Sequence, residues 1–280
     1  MSRSARRLVF GLATLFGIAR RGFFIPYRYA DRVPDHSRRM GYGALEPIFA
    51  AAEPAFDALL ARIEAFADDL GAIGSEPPPE PRWNQDWFPR LDAAAAYVVV
   101  RELQPARIVE IGSGHSTRFL CRAVRDGGLP TAVAAIDPAP RADIEGAGAT
   151  ILRMTVQQAG AAPFAGLAPG DILFIDSSHI LMPGTDVDFL FNHILPALPK
   201  GVRVHIHDVF LPDDYPPEWE WRGYNEQLAI AALIQGRGYK LLWSSHYAAT
   251  RMAAKVGAGV AGKLPLKPGA VESSLWIEKA

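Results

Sequence analysis

Apolar positions change their spacing near residue 105, and the change divides the chain. Upstream, Leu45, Phe49, Ala52, Phe56, Leu59, Leu60, Ile63 and Phe66 recur three and four residues apart, which predicts a helix over 44–70. Residues 71–81, with Glu76-Pro-Pro-Pro-Glu-Pro81, cannot continue it and read as a linker. An apolar-rich helix is predicted over 92–103, closed by Pro105. Downstream the pattern becomes short β-rich runs at 107–111, 131–136, 150–154, 171–175 and 202–206. Helix-compatible or loop segments at 115–126, 140–147, 157–165 and 185–198 alternate with them. A helix near 223–236 and two further apolar runs, 239–244 and 275–278, complete the series.

Strands alternating with helices predict an α/β fold, a doubly wound and mostly parallel seven-stranded sheet with an N-terminal helical extension. Three regions are expected: a basic, apolar arm over 1–40, a helical extension with a Pro-rich linker over 41–90, and a ligand-binding catalytic domain over 91–280. Ligands of such sheets bind at the carboxyl ends of the strands, where strand order reverses, so candidate chemistry should follow each strand.

After the first strand, Glu110-Ile111-Gly112-Ser113-Gly114-His115-Ser116-Thr117 forms a strand–turn–helix joint. Its glycines allow close backbone approach, and the helix start offers free N–H groups to a ligand. A dinucleotide fingerprint needs a third glycine where Thr117 stands, and Glu110 would repel a pyrophosphate. A cationic ligand bearing hydroxyls suits the loop better. Asp137, which ends the second strand 23 residues after Gly114, is placed to accept two ribose hydroxyls. Gln157, after the third strand, is a candidate contact to a base.

Glu-Ile-Gly-Ser-Gly resembles the first motif of the class I S-adenosylmethionine (SAM) methyltransferases. That likeness implies SAM as cofactor, held by Glu110, Gly112, Ser113, Gly114, His115, Ser116, Asp137 and Gln157, and a sheet whose last strand is inserted antiparallel.

The fourth strand ends in Asp176-Ser-Ser-His179 and the fifth in His205-Ile-His207-Asp208. Asp176, His207 and Asp208 form a donor set able to hold Mg²⁺ or Mn²⁺. Asp176-x-x-His179 with His207-Asp208 is similar to the metal-dependent O-methyltransferases that act on sugars of natural products such as macrolides. In that group a strand-4 Asp and an acidic pair after strand 5 bind Mg²⁺, and the His of Asp-x-x-His is a proposed general base. By that match His179 and Asp176 are the catalytic candidates. His207 stands where the group more often carries an acid or an amide. His205, one strand period away, reads as packing within the sheet, and Asp186 and Asp188 as acids that start a helix.

Residues 211–225, rich in Pro and aromatics, read as a lid over the mouth of the sheet. Tyr215, Trp219, Trp221 and Tyr224 are the candidate acceptor wall, and Trp83 and Trp87 could join from the linker side. The acceptor expected is a small molecule or glycan. Two other activities remain open: a metal-independent methyltransferase, and a SAM-binding protein without catalysis. An NAD(P)-dependent oxidoreductase is disfavoured by the missing glycine and the lack of a Tyr-x-x-x-Lys pair.

Charge and composition refine this picture in few places. The net charge of −1 gives no general case for nucleic acid. Cys121 is the only cysteine, which excludes an internal disulfide and suggests packing in the helix after the loop. Residues 1–40 hold nine Arg against Asp31 and Asp35 and bracket the apolar run Leu8 to Ala19 with Arg3, Arg6, Arg7, Arg20 and Arg21. That run is too short to span a bilayer, and no convincing small-x-small cleavage site precedes the Arg pair. A cytoplasmic protein is expected, whose arm packs on the domain, pairs with a second subunit, or contacts an anionic membrane surface.

Overall fold

The strands lie where the apolar runs place them. In a computed structural model, which describes residues 3–74 and 76–280, seven strands form one sheet. They are β1 (Arg107–Ile111), β2 (Ala132–Ile136), β3 (Thr150–Leu152), β4 (Ile172–Ile175), β5 (Arg203–Ile206), β6 (Tyr239–Ser244) and β7 (Leu275–Lys279). Their order is β3-β2-β1-β4-β5-β7-β6, with β7 antiparallel to both neighbours and the other pairings parallel. Central β4 is buried along its whole length, as an apolar strand covered on both faces must be. Strand order reverses between β1 and β4, so a crevice opens above their carboxyl ends. This is the doubly wound, mostly parallel seven-stranded sheet expected from the sequence, with its last strand antiparallel.

The helices are α1 (Arg3–Leu15), α2 (Glu46–Ala65), α3 (Ala67–Gly71), α4 (Arg90–Leu103), α5 (His115–Asp126), α6 (Val156–Ala159), α7 (Asp186–Phe189), α8 (Glu226–Gln235), α9 (Ser245–Arg251), α10 (Ala253–Ala258) and α11 (Val260–Lys263). Leu91 to Val100 of α4 are all buried, and its run Ala93–Ala96 keeps the helix slim enough for close packing. Phe56 of α2 meets Trp243 of β6 edge to face, with ring centroids 5.6 Å apart. Residues 41–90 therefore do not stand apart from the sheet. Met40–Ala280 is one compact unit, and Met1–Arg39 is another.

Three predicted segments are decided or changed by the structure, and one region holds helices without a predicted counterpart. Of the two options open for 140–147, helix or loop, the chain takes the loop, because Pro138 and Pro140 block a helix start and Gly146 and Gly148 take positive φ. The Arg118 guanidinium holds that segment by donating from Nε to the Asp143 carbonyl at 2.9 Å. The helix over 185–198 breaks into α7, a π turn at Leu190–Ile194 and a 3₁₀ turn at Leu195–Ala197 containing Pro196. The 211–225 loop contains a 3₁₀ turn, Pro217–Arg222. Helices α9, α10 and α11, between β6 and β7, have no counterpart among the predicted elements.

In the arm, α1 is followed by irregular chain with 3₁₀ turns at Ala30–Arg32 and His36–Arg38. Among the described residues no helix is long and apolar enough to cross a membrane.

Gly112 decides how β1 meets β4. Its N–H donates to the Ile136 carbonyl at 3.0 Å, and the Asp176 N–H donates to the Ile111 carbonyl at 2.9 Å. Gly112 has φ +87°, and a Cβ there would lie 2.0 Å from the Asp176 carbonyl oxygen. Gly112→Ala is expected to cost about 1–3 kcal/mol of stability or more, read as a fall in chemical-denaturation midpoint. An unchanged midpoint would show that the two strand ends can part.

Candidate functional site

The glycine loop Gly112–Gly114 leads directly into α5, and the helix's first turn closes back on the strand. Thr117 Oγ1 accepts the Gly114 N–H at 2.9 Å and donates to Glu110 Oε2 at 2.7 Å. Ser116 Oγ donates to Glu110 Oε1 at 2.5 Å. Thr117 thus performs a bracing task that a third glycine could not. Glu110 is fully buried beneath the loop and does not line the cavity, which corrects its assignment as a cofactor contact. Burial pushes its carboxyl up to about 8, against the lowering effect of the two hydroxyls.

A cavity of about 800 Å³ lies over the carboxyl ends of the strands, within the size range of small-molecule sites. Gly112, Ser113, Gly114, His115, Ser116, Asp137 and Gln157 line it together with Asp176, His179, His207 and Asp208. Asp137 accepts the Ser113 hydroxyl at 2.7 Å and the Ala139 N–H at 2.8 Å. Gln157 Nε2 donates to the Gly184 carbonyl at 3.1 Å. Burial, with Arg118 and Arg82 nearby, pushes the His115 imidazole down to about 4, so it is neutral at neutral pH. Its Nδ1 is buried and makes no hydrogen bond among the described residues.

The ends of β4 and β5 carry a tight cluster. His179 Nε2 lies 3.4 Å from both Asp176 Oδ1 and Asp208 Oδ2, and its Nδ1 lies 2.9 Å from Glu226 Oε2. His207 Nδ1 lies 3.6 Å from Asp176 and 3.4 Å from Asp208, while its Nε2 faces Asp92 Oδ2 at 3.2 Å. Burial would lower both imidazoles, but the surrounding carboxylates overcome it and raise them well above the ordinary histidine value. Burial would likewise raise Asp176, yet the positive charge on His207 and hydrogen bonds from both histidines hold it well below the ordinary range. His179 and Asp208 sit at φ 60° and 56°, in the left-handed region that side chains rarely adopt. Such backbone is retained where surrounding structure fixes it and is concentrated at functional sites.

Among the described residues no group of three or more His, Cys, Asp or Glu side chains is arranged, as it stands, to hold a metal ion. Asp176, His207 and Asp208 are brought together, but as imidazole–carboxylate pairs. His205 packs as its position in the strand predicts. It stacks on Phe174 with centroids 3.6 Å apart, and its Nε2 lies 2.7 Å from Ser274 Oγ. Cys121 is buried, which pushes its thiol up to about 12.

The aromatic loop supplies two of its four candidates. Trp219 and Tyr224 line the cavity, joined by Arg222, whose guanidinium lies 4.0 Å from the Trp219 ring centroid and donates to the Tyr224 hydroxyl at 2.9 Å. The Tyr224 ring is 4.6 Å from the His179 ring. Tyr215 is instead buried, its hydroxyl accepting the Gln227 N–H, and Trp221 is exposed outside the cavity. Trp87 lines the cavity with Arg141 over its ring, whereas Trp83 is buried and donates to the Leu70 carbonyl.

Several solved structures resemble the chain. An S-adenosylhomocysteine-bound methyltransferase from Podospora anserina, PaMTH1, is 17% identical, with a TM-score of 0.45, over 92% of this chain and 99% of that one. An O-methyltransferase from Bacillus cereus is 12% identical over 84% and 100%, with a TM-score of 0.42. TomG of Streptomyces achromogenes, an O-methyltransferase of tomaymycin synthesis, is 17% identical over 80% and 89%, with a TM-score of 0.41. No curated protein matches the chain. The family model described as "Methyltransferase domain" matches residues 109–209. Over that segment the chain is similar to methyltransferase domains.

The matched segment supplies the loop, Asp137 and the ends of β4 and β5, but not the acids behind the two histidines. Asp92 and Glu226 lie outside it, and neither is among the residues singled out from sequence. Asp92 carried a signal, being the one charged side chain in the run Leu91 to Val100. Glu226 carried little, since an acid opening a helix is ordinary.

Glu110 generates a prediction. Its folded carboxyl titrates above its unfolded value, so the folded state holds the proton longer and stability should fall as pH rises from about 4.3 through about 8. Glu110→Gln, which keeps the shape and stays neutral, should flatten that decline in melting temperature. An equally steep decline in the variant would locate the titration elsewhere.

Proposed function

We propose that the chain is an enzyme that binds SAM and transfers its methyl group to a hydroxyl of a small-molecule or glycan acceptor. The observation that carries this reading is a single cavity shared by the glycine loop, Asp137 and the His179 cluster. Gly112 and Gly114 would let the cofactor approach the backbone, Asp137 would accept ribose hydroxyls, and Gln157, on the same cavity wall, would serve the base. In the reaction, an oxygen lone pair of the acceptor attacks the methyl carbon. The carbon–sulfur bond breaks with its electrons going to sulfur, which turns the sulfonium into a thioether. The hydroxyl proton passes to His179.

Glu226 accepts from His179 Nδ1, which fixes the ring with Nε2 toward Asp176 and Asp208. Both aspartates favour the protonated imidazole, so the neutral ring that can take the acceptor's proton is populated as pH rises. Trp219, Arg222 and Tyr224 form a flat, partly polar wall suited to a sugar or aromatic face. Holding oxygen, carbon and sulfur in line would supply much of the rate.

One observation favours a second reading, in which a divalent cation takes part. Asp92, Asp176, Asp208 and Glu226 surround only two imidazoles, so carboxylates outnumber the cationic groups. His207 also presents Nδ1 to two carboxylates while Asp92 orients it from behind, as ligating histidines are commonly oriented. Asp176, His207 and Asp208 would hold Mg²⁺ or Mn²⁺ after turning from their mutual contacts. The ion would stabilise the negative charge that develops on the acceptor oxygen.

Calorimetry with S-adenosylhomocysteine on chelator-treated protein tests the cofactor. Micromolar binding is expected, weakened at least about tenfold in Asp137→Ala. No binding by folded protein would overturn the reading. With an acceptor found by screening methyl transfer from labelled SAM, His179→Ala should cut turnover about 10²- to 10⁴-fold while leaving S-adenosylhomocysteine affinity nearly unchanged. Equal loss of both would make His179 structural. Turnover lost on chelation and restored by Mg²⁺ or Mn²⁺ selects the cation reading, and indifference to chelator selects the metal-free one.

A further inference from the structure

The arm Met1–Arg39 pairs a strong positive charge with exposed apolar side chains, a combination that water does not favour. It carries nine Arg against Asp31 and Asp35, and Asp35 is taken up by Arg38 at 2.5 Å. Advancing about 100° per residue, α1 gathers Leu8, Leu12 and Leu15 on one side and sends Arg6 and Arg7 to the other. Those three leucines are 64%, 43% and 55% exposed, and beyond the helix Phe16, Ile18 and Phe24 are 74%, 78% and 66% exposed. Arg6 and Arg20 lie over the rings of Phe10 and Phe23, at 5.1 and 5.5 Å, and not against carboxylates. A guanidinium stacked by its face keeps its N–H edge free for oxyanions.

The chemistry of the occupant follows from both halves together. It must offer an apolar interior to Leu and Phe, and anionic oxygens at its rim to Arg. A nucleic acid supplies phosphates but nothing that would cover the leucine face. A second copy of the arm would bring the same net charge of +7 to the contact. A bilayer with anionic headgroups satisfies both demands, and an amphipathic helix too short to cross it lies in its interface. We propose that residues 3–25 are an interfacial anchor for an anionic membrane surface.

Full-length protein should be sedimented with phosphatidylcholine vesicles, with and without phosphatidylglycerol. The anionic vesicles should bind at least about tenfold more tightly, and the advantage should shrink as salt is raised. Arg6→Glu with Arg7→Glu, and separately Leu12→Asp with Phe16→Asp, should each reduce binding about tenfold or more while leaving the melting temperature unchanged. The salt titration needs no variant and so stands even if a substitution disturbs the arm. Absent binding, or equal binding to both vesicles, would overturn the proposal. So would concentration-dependent dimers without lipid binding, or RNA binding that survives Leu12→Asp with Phe16→Asp while vesicle binding is lacking.

Discussion

Ionisable groups cannot remain buried at the end of a sheet without partners, and that constraint organises the whole crevice. His179 and His207 are each nearly inaccessible to solvent, and each is held between carboxylates on both ring nitrogens. The partners come from five places: the ends of β4 and β5, helix α4 through Asp92, helix α8 through Glu226, and the segment before β7 through Ser273. Ser273 donates its hydroxyl to Asp208 at 3.2 Å and, with Ser274, its backbone N–H to Asp92. Removing one carboxylate would leave an uncompensated charge in the interior. The cluster therefore helps to fix the relative positions of these elements, together with the β4–β5 pairing and the ion pair of Arg90 with Glu272.

The cofactor loop obeys a second constraint, close backbone approach. Gly112 meets the Asp176 carbonyl so closely that any side chain would collide, which locks the end of β1 to the end of β4. The loop and the acid cluster are consequently parts of one rigid junction. Glu110 and Thr117 brace it from below, out of reach of any ligand. A single carboxylate in the motif thus serves the shape of the loop, while Asp137 and the loop backbone face the cavity.

The sheet was legible because its strands are short apolar runs separated by turn chemistry, and periodicity reads such runs well. All seven were found within two residues at each end. Helices were less legible where Pro and Gly interrupt weak patterns, as at 140–147, or where three short helices follow one another after β6. The glycine loop, Asp137 and the strand-end acids could be grouped from sequence because each follows a strand, and the fold brings them to one cavity. Tyr215 and Trp221 were misplaced because an aromatic in a lid points inward, outward or into the cavity with the same sequence signature. Asp92 and Glu226 lay far from the motifs in sequence and met them only through the fold.

Asp92 is joined to Ser273 and Ser274, 181 and 182 positions further along the chain, and Arg90 with the Leu91 N–H is joined to Glu272 across a similar span. Contacts of such separation are late events in folding, because the loop-closure entropy must be met before they form. A chain emerging from the ribosome can pair β1, β2 and β4 and shape the glycine loop well before β7 exists. His207 and Asp208 then wait, without their final neighbours, for the last strand to slide in antiparallel beside β5. The crevice is thus completed from the carboxyl-terminal side, and a nascent chain halted before residue 272 would hold the glycine loop without Ser273 and Ser274 against Asp208 and Asp92.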